Sequence, residues 1–359
     1  MHNAKLVLED GTEFYGNAFG SEMIQTGEVV IQTGMTGYQE VLSDPAHANH
    51  IVVMSYPLIG NYGLNHDDFE SIDPAVKGLI VREKCNHPSN FRSTESLESY
   101  TKVNQIPAIE GIDTRKLTRH IRQHGSMKGI IAPSTMELNE AISYMSDTNE
   151  EPSYVRSLST VKPYVVPGRG KRIVLIDLGL KHGILRSLTK RHCHVTVVPY
   201  NYAAEDIARL HADGMIISNG PGLMKDIRSV VQMIQSFMNR TPLFGIGLGH
   251  LAIAQACGAK VEKLSTGRYV TGLPVTDVEK KTTHFTSMHQ TEAVIESSIE
   301  STPLEITERV SEDGSIAGLR HQSLPICSVQ YNPESAPGPE ESSYLFDAFL
   351  TSCTKIHTS

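Results

Sequence analysis

The first half of the chain has hydrophobic and polar positions in the pattern of short strands joined by turns. Residues 6–8 form an apolar run that is followed by an Asp-Gly turn and a second strand pattern, which is typical of a β-hairpin. Residues 51–54 form another buried-strand run, and Asp113 is placed to cap a helix that stops at Gly125. This half therefore predicts a β-rich α/β domain.

The second half has a different rhythm, in which apolar runs alternate with helical patterns. Strands are predicted at residues 173–177, 195–199 and 215–218, with helices at 181–191 and 203–211 between them. Strands that alternate with helices at short spacing indicate βαβ units and a parallel sheet.

Polar, turn-rich residues separate the two patterns and suggest boundaries. We predict a first domain over residues 1–150, a linker over 151–171 and a second domain over 172–359. The fold class is α/β: a β-rich α/β domain is followed by a domain with a mostly parallel, flavodoxin-like sheet.

Charge and composition narrow the classes of partner. The 359 residues carry a formal net charge of -8 with no long basic run, which argues against nucleic acid or a membrane surface as the main partner. The five cysteines are widely spaced and form no Cys-x-x-Cys pair, so we expect reduced thiols and no metal site. No signal segment or membrane-spanning apolar run is present, and we expect a cytoplasmic protein.

Residues 243–250 hold the most unusual feature of the chain. The run Leu-Phe-Gly-Ile-Gly-Leu-Gly-His predicts a short strand, a sharp turn and a helix, which is the layout of a nucleophile elbow. The corner residue is Gly247, which has no side chain. The glycine-rich loop at 219–222 and the strand at 326–331 would end at the same edge of the sheet, where parallel sheets place their sites. The scaffold of a reactive site is present and its reactive atom is absent.

Long motifs in a shared order resemble the small, glutamine-amidotransferase subunit of carbamoyl-phosphate synthase over nearly the whole chain. In the first domain these motifs are Thr-Gly-Met-Thr-Gly-Tyr-Gln-Glu at 33–40, the run at 56–63 and the run at 111–119. In the second domain they include Ser-Asn-Gly-Pro-Gly at 218–222 and Ser-Ala-Pro-Gly-Pro at 335–339. The resemblance identifies the second domain as a class I amidotransferase domain.

The resemblance also implies a reaction and a partner. In that family a cysteine at the elbow attacks the side-chain amide of glutamine, and a histidine oriented by a glutamate activates the thiol. The released ammonia passes to a large subunit, which uses ATP and Mg to make carbamoyl phosphate from bicarbonate for arginine or pyrimidine biosynthesis. No cofactor is implied for this chain itself.

The sequence departs from the family where the chemistry lies. The nucleophile position is Gly247, the base position is Asn332, and only the orienting acid is retained, as Glu334. Losing a nucleophile or its base usually costs several orders of magnitude in turnover. We therefore expect this chain to have lost its own glutamine hydrolysis and to support or regulate synthesis from ammonia.

The positions that would form the glutamine pocket are largely changed, so glutamine binding is doubtful. Those that match the family positions are Ala46, Gly220, Gly222, Leu248, Leu251, His289, Thr291 and Glu292. Gly220, Gly222 and Leu248 are retained as backbone contributors.

The sequence offers three candidate replacement groups and two alternative functions. Cys257 follows the elbow by ten residues, or roughly 15 Å along a helix, and His250 and His289 are two further candidates. A non-catalytic protein that binds a different small molecule in a pocket with Arg268, Tyr269, Leu273 and Met288 is one alternative function. A redundant copy drifting toward loss is another.

Overall fold

The computed structural model describes residues 2–147 and 153–353, apart from the side chain of Thr266, and divides into two units. The first unit comprises Met1–Pro152 and Ser265–Val270, and the second comprises Ser153–Leu264 and Thr271–Ser359. A short segment from the second half of the sequence thus belongs to the first unit, which the pattern of hydrophobic positions did not indicate.

The first unit is built on a closed β-barrel. Its strands are β1 (Ala4–Leu8), β2 (Glu13–Gly20), β3 (Gln25–Gln32), β4 (His50–Met54), β5 (Leu58–Ile59), β6 (Gly78–Val81), β7 (Glu83–Lys84), β8 (Pro107–Glu110) and β9 (Met127–Pro133). Its helices are α1 (Tyr38–Ser43), α2 (Leu97–Val103), α3 (Thr114–His124) and α4 (Leu138–Asp147). The barrel has the order β1-β2-β8-β6-β4-β3-β9, with β5 and β7 paired separately.

Local signals in the sequence account for several of these elements. Strands β1 and β2 pair antiparallel, and the turn between them is held by Gly11 at φ 84° and by a hydrogen bond from Thr12 N to Asp10 Oδ1 of 2.9 Å. Helix α3 begins after Asp113, whose Oδ1 accepts from Lys116 N at 3.0 Å, and ends before Gly125. The predicted hairpin and the predicted capped helix are both confirmed.

The second unit is a single sheet with helices on its faces. Its helices are α5 (Tyr154–Leu158), α6 (His182–Lys190), α7 (Ala204–Arg209), α8 (Arg228–Phe237), α9 (Leu248–Ala256) and α10 (Tyr344–Ser352). Its strands are β10 (Tyr164–Val166), β11 (Arg172–Asp177), β12 (His194–Pro199), β13 (Gly214–Ile217), β14 (Leu243–Ile246), β15 (Val261–Asp277), β16 (Thr283–Val294), β17 (Leu304–Val310), β18 (Ile316–His321) and β19 (Ile326–Val329). The sheet order is β10-β12-β11-β13-β14-β19-β18-β17-β15-β16.

The five central strands of this sheet are all parallel. Numbered along the chain, β12-β11-β13-β14-β19 have the order 2-1-3-4-5, which is the flavodoxin-like arrangement. Antiparallel pairs flank them, between β10 and β12 on one side and among β19, β18, β17 and β15 on the other. The α/β fold class predicted from the sequence is confirmed, and its parallel part is the part that carries the strand-end loops.

The segment 151–171, which was predicted to be a linker, contains regular structure. Residues 148–152 lie outside the described residues, but α5 and β10 follow them. Strand β10 pairs antiparallel with β12, and Val155 of α5 is buried in the core of the second unit. This part of the segment belongs to the second unit, because its few apolar residues extend the sheet and cover it.

Both faces of the sheet are packed. Apolar residues of α8 and α9 join the strands in one large buried cluster. Phe244 of β14 contacts Phe346 and Phe349 of α10, at ring-centroid distances of 5.9 and 5.7 Å. No helix among residues 2–147 and 153–353 is long and apolar enough to cross a membrane.

A buried carboxyl group lies among the flanking antiparallel strands. Glu308 of β17 accepts a 2.6 Å hydrogen bond from the hydroxyl of Tyr331, and both side chains are buried. Burial raises the pKa of Glu308 to about 6, and the hydrogen bond from Tyr331 only partly offsets the effect. The fold therefore disfavours the charged form of this side chain.

The raised pKa predicts a pH-dependent gain in stability for Glu308→Gln. Because the pKa of Glu308 is higher in the folded chain than its ordinary value of 4.5, the native chain is most stable below about pH 4.5. Its free energy of unfolding then falls as pH rises through about 6. At pH 8 we expect the variant to unfold with a free energy about 1–2 kcal/mol higher than the native chain, and near pH 4.5 the difference should vanish. Thermal or urea unfolding across pH 4.5–8 measures it.

The control is Glu296→Gln. Glu296 is exposed and paired with Arg309, which lowers the pKa of that carboxyl, so the sign of its pH dependence is opposite. A Glu308→Gln variant that melts below the native chain at pH 8 would contradict the expected effect.

Candidate functional site

The predicted elbow is present at the carboxyl end of β14. Gly247 has φ 57° and ψ −111°, and its N–H donates to the carbonyl of Val329 on β19 at 2.9 Å. Helix α9 begins at the next residue. A Cβ atom built on Gly247 would lie 3.3 Å from Cβ of Asn219, so the position faces the loop after β13. The turn has the strand-turn-helix layout of a nucleophile elbow, but Gly247 itself is buried and bears no side chain.

Two glycines beside the elbow are required by close backbone approach. A Cβ on Gly249 would lie 2.2 Å from the carbonyl oxygen of Ile217, and one on Gly220 would lie 2.0 Å from that of Leu178. The N–H of Gly249 donates to the carbonyl of Ser218 at 3.1 Å. These glycines allow the loops after β11, β13 and β14 to meet, so this part of the motif is required by packing.

Two more of the predicted backbone positions adjoin these glycines. Gly222 has φ 99°, a left-handed conformation that favours glycine. Leu248 is the first residue of α9 and is buried.

Asn332 follows the neighbouring strand β19, at the position where the resemblance places the base. Its N–H donates to the carbonyl of Ser287 on β16 at 2.8 Å, and its side chain is buried. Ser287 in turn donates from its hydroxyl to the carbonyl of Pro337 at 2.5 Å. A carboxamide cannot accept and return a proton near neutral pH as an imidazole does, so Asn332 offers no base to the elbow.

Glu334 has a partner that the sequence did not suggest. Its carboxylate lies 3.0 Å from the ammonium of Lys181, and neither side chain has any exposed area. The same ammonium donates to the carbonyls of Ser335 at 2.9 Å and Ala336 at 2.8 Å, and the Lys181 N–H donates to Asn219 Oδ1 at 3.2 Å. Lys181 thus joins three strand-end loops. The only hint in the sequence was a lysine in the loop that follows the buried strand β11, which ends at Asp177.

His250 of α9 and Cys257, which caps the C-terminus of that helix, are unsuited to the elbow's chemistry. His250 is fully buried, its Nδ1 lies 2.9 Å from the Ser328 hydroxyl, and burial lowers its pKa to about 4. It faces Ser328, in the core of the sheet. Burial raises the pKa of the Cys257 thiol to about 11, so a reactive thiolate is scarce at neutral pH.

The other buried thiols are equally poor nucleophiles. Burial raises the pKa of Cys193, and raises those of Cys327 and Cys353 to about 12. Thiols in such surroundings pack as small apolar groups.

The remaining glutamine-pocket positions have mixed environments. Leu251 is buried in the apolar cluster, and His289 and Thr291 are half-buried on β16. Glu292 is half-buried, its Oε2 accepts from Met224 N at 2.8 Å, and burial raises its pKa. It therefore anchors the loop after Gly222. Ala46 belongs to the first unit, where its N–H donates to Asp44 Oδ1 at 2.8 Å.

The four residues proposed for a different ligand pocket are divided between the two units, with Arg268 and Tyr269 in the first. Tyr269 is buried in the first unit, with its ring centroid 5.4 Å from that of His47 and 5.1 Å from that of His50. Leu273 and Met288 are buried within the second unit. Three of the four side chains are thus buried within their own units.

Among the described residues, no group of three His, Cys, Asp or Glu side chains could hold a metal ion.

Comparison with known proteins agrees with this geometry. Residues 174–352 match the family model for glutamine amidotransferase class-I, and residues 6–131 match that for the carbamoyl-phosphate synthase small chain, CPSase domain. The second unit is therefore a class I glutamine amidotransferase domain.

Relatives cover almost the whole chain. The carbamoyl phosphate synthase small chain of Oceanobacillus iheyensis is 48% identical over 350 residues, covering 98% of this chain and 96% of the relative. The pyrimidine-specific small chains of Halalkalibacterium halodurans and Bacillus subtilis are each 49% identical over 346 residues; each alignment covers 96% of this chain, with 96% and 94% of the respective relatives. The chain belongs to the carbamoyl phosphate synthase small chain family.

The elbow geometry predicts that a side chain at position 247 is destabilising. Because L residues rarely adopt φ 57° with ψ −111°, we expect Gly247→Cys to lower the free energy of unfolding by about 1–3 kcal/mol. Gly247→Ala should cost a similar amount, since the backbone and not the thiol is strained. Thermal or urea unfolding measures both.

Gly314→Ala is the matched control for this effect. Gly314 also has a positive φ, of 73°, and a Cβ there would meet nothing within 4 Å. The Gly314→Ala variant therefore measures the loss of stability caused by backbone conformation alone, without a contact like that between position 247 and Asn219. An unchanged or higher melting temperature for Gly247→Cys would show that the turn carries no strain.

The buried ion pair predicts strong coupling between Lys181 and Glu334. Lys181→Met leaves a buried carboxylate without its cation and should lower the free energy of unfolding by about 3–5 kcal/mol. Adding Glu334→Gln to that variant should recover part of the loss, because the uncompensated charge is then gone. Urea unfolding of the two single variants and the double variant gives the coupling.

An exposed pair provides the comparison. Arg209→Met removes the partner of Asp206 at the surface and should change stability by less than about 1 kcal/mol. If the stability losses of the two single variants simply add up in the double variant, the charges of Lys181 and Glu334 do not stabilise each other.

Proposed function

We propose that this chain is a carbamoyl phosphate synthase small subunit that no longer hydrolyses glutamine. It would instead support or regulate a large subunit that uses free ammonia. The observation that carries the proposal is Gly247: the elbow has the backbone of a nucleophile turn and no atom that could attack an amide.

The surroundings of the elbow support the same conclusion. A base is missing at Asn332, and Glu334 is committed to an ion pair with Lys181. Burial raises the pKa of Cys257 and lowers that of His250, which removes both as replacements for the thiolate and the imidazole. Glutamine hydrolysis through a covalent intermediate would therefore lack both its nucleophile and its general base.

The retained fold supports a role for this chain in a complex with a large subunit. Close-packed glycines, the Lys181 pair and both family domains are intact, which is the outcome expected if the fold is still needed when the chemistry is not. We propose a hetero-oligomer with a large subunit that uses ATP and Mg in the cytoplasm. Two relatives are named pyrimidine-specific, which favours pyrimidine over arginine biosynthesis as the pathway served.

The decisive experiment is carbamoyl phosphate formation by the large subunit encoded in the same genome, with glutamine or ammonium as nitrogen donor, with and without this chain. We expect ammonium to support synthesis and this chain to change that rate. Glutamine should give a rate at least about a thousandfold lower, since nucleophile and base are both absent. Size-exclusion chromatography of the mixture tests the complex.

Two controls make the result specific. Ammonia in the glutamine stock is removed beforehand, and Cys257→Ser tests whether a substitute thiol contributes. A glutamine-dependent rate that Cys257→Ser abolishes would identify a new nucleophile and overturn the loss of hydrolysis. Failure of the chain to bind the large subunit would overturn the supporting role.

A further inference from the structure

A cavity of about 500 Å³ lies beside helix α10 in the second unit. Strands β17, β18 and β19 and the turn after β15 also line it, together with Phe244. Gly247, Asn332 and Glu334 are not among its lining residues, so it is separate from the elbow. We propose that this cavity binds a small molecule with an apolar body and a protonated amine.

The size and walls of the cavity suit the apolar body. Its volume lies within the range of about 300–1,000 Å³ that is usual for small-molecule sites. The walls are mainly apolar and include Ile306, Leu319, Leu324, Ile326 and Phe349. Tyr344, which is exposed on α10, adds an aromatic ring at the same site. A planar or branched apolar group can replace water against these surfaces.

The carboxylate of Glu308 suits the amine. Glu308 lines the cavity, and its Oε2 accepts a hydrogen bond from the hydroxyl of Tyr331. Burial disfavours its charge and raises its pKa to about 6. Burial deprives the Glu308 carboxylate of water. A ligand ammonium would donate a charge-assisted hydrogen bond to it in place of that water, and such bonds are among the stronger polar contacts.

The other charged groups that line the cavity already have opposite charges beside them. The ammonium of Lys280 lies 3.2 Å from the carboxylate of Asp277, and Arg320 pairs with Glu305 at 3.0 Å and Glu279 at 3.9 Å. Lys280 lies close enough for its charge to lower the pKa of Glu308, but among the described residues no cation lies at ion-pair distance from that carboxyl. The electrostatic requirement of the cavity is therefore for a positive charge, and an anionic ligand is disfavoured.

Tryptamine and two isosteres test the proposal on the full chain. Tryptophol is neutral and indole-3-propionate is anionic, while the indole body is shared. The chain contains no tryptophan, so indole fluorescence reports the ligand alone. We expect saturable binding in the order tryptamine, tryptophol, indole-3-propionate, with tryptamine at least tenfold tighter than the anion.

Two variants locate the binding. Glu308→Gln should weaken tryptamine at least tenfold and leave tryptophol within about twofold, because only the charge changes. Ala348→Phe should weaken all three, since Ala348 is exposed on α10 and lines the cavity, so a larger side chain there blocks access without needing core space. Glu296→Gln, at a surface carboxyl that does not line the cavity, should change none.

Several results would overturn the proposal. These are no saturable tryptamine binding at millimolar concentration, equal affinity for the amine and the anion, and tryptamine affinity that survives both Glu308→Gln and Ala348→Phe. Binding is measured on this chain without a large subunit, so the outcome does not depend on whether glutamine hydrolysis is lost.

Discussion

The buried pair of Lys181 and Glu334 is the interaction on which the strand-end region of the second unit depends. Two charges without exposed area are stable only when each compensates the other and the remaining donors find acceptors. Lys181 meets both conditions, because its ammonium also donates to the carbonyls of Ser335 and Ala336. Its backbone N–H contacts Asn219, so one residue fixes the loops after β11, β13 and β19.

Packing determines which residues around the elbow tolerate no substitution. Gly220 and Gly249 lie against backbone carbonyls, and any side chain there would collide with the fold itself. A Cβ on Gly247 would lie 3.3 Å from Cβ of Asn219, so packing alone leaves nearly enough room for a side chain there. Glu334 belongs with the first group, because removing it would leave Lys181 as an unpaired buried cation.

Much of the fold followed from local pattern, and the reasons are visible in particular elements. The Asp-Gly turn before β2 and the Asp113 cap of α3 act over a few residues, so the sequence shows them directly. The pattern failed where long-range contacts decide. Residues 265–270 join the first unit because Tyr269 packs against His47 and His50, more than two hundred positions earlier. The segment predicted to be a linker gained β10 through pairing with β12.

By itself the sequence determined the α/β class, the family and the absence of a thiol and an imidazole at Gly247 and Asn332, since these depend on residue identity and order. Only the tertiary structure decided that Glu334 pairs with Lys181, that His250 faces Ser328, and that Glu308 lies buried beside a cavity. Ion pairs and cavities are formed by residues distant in sequence. Their partners and their desolvation exist only once the chain is packed.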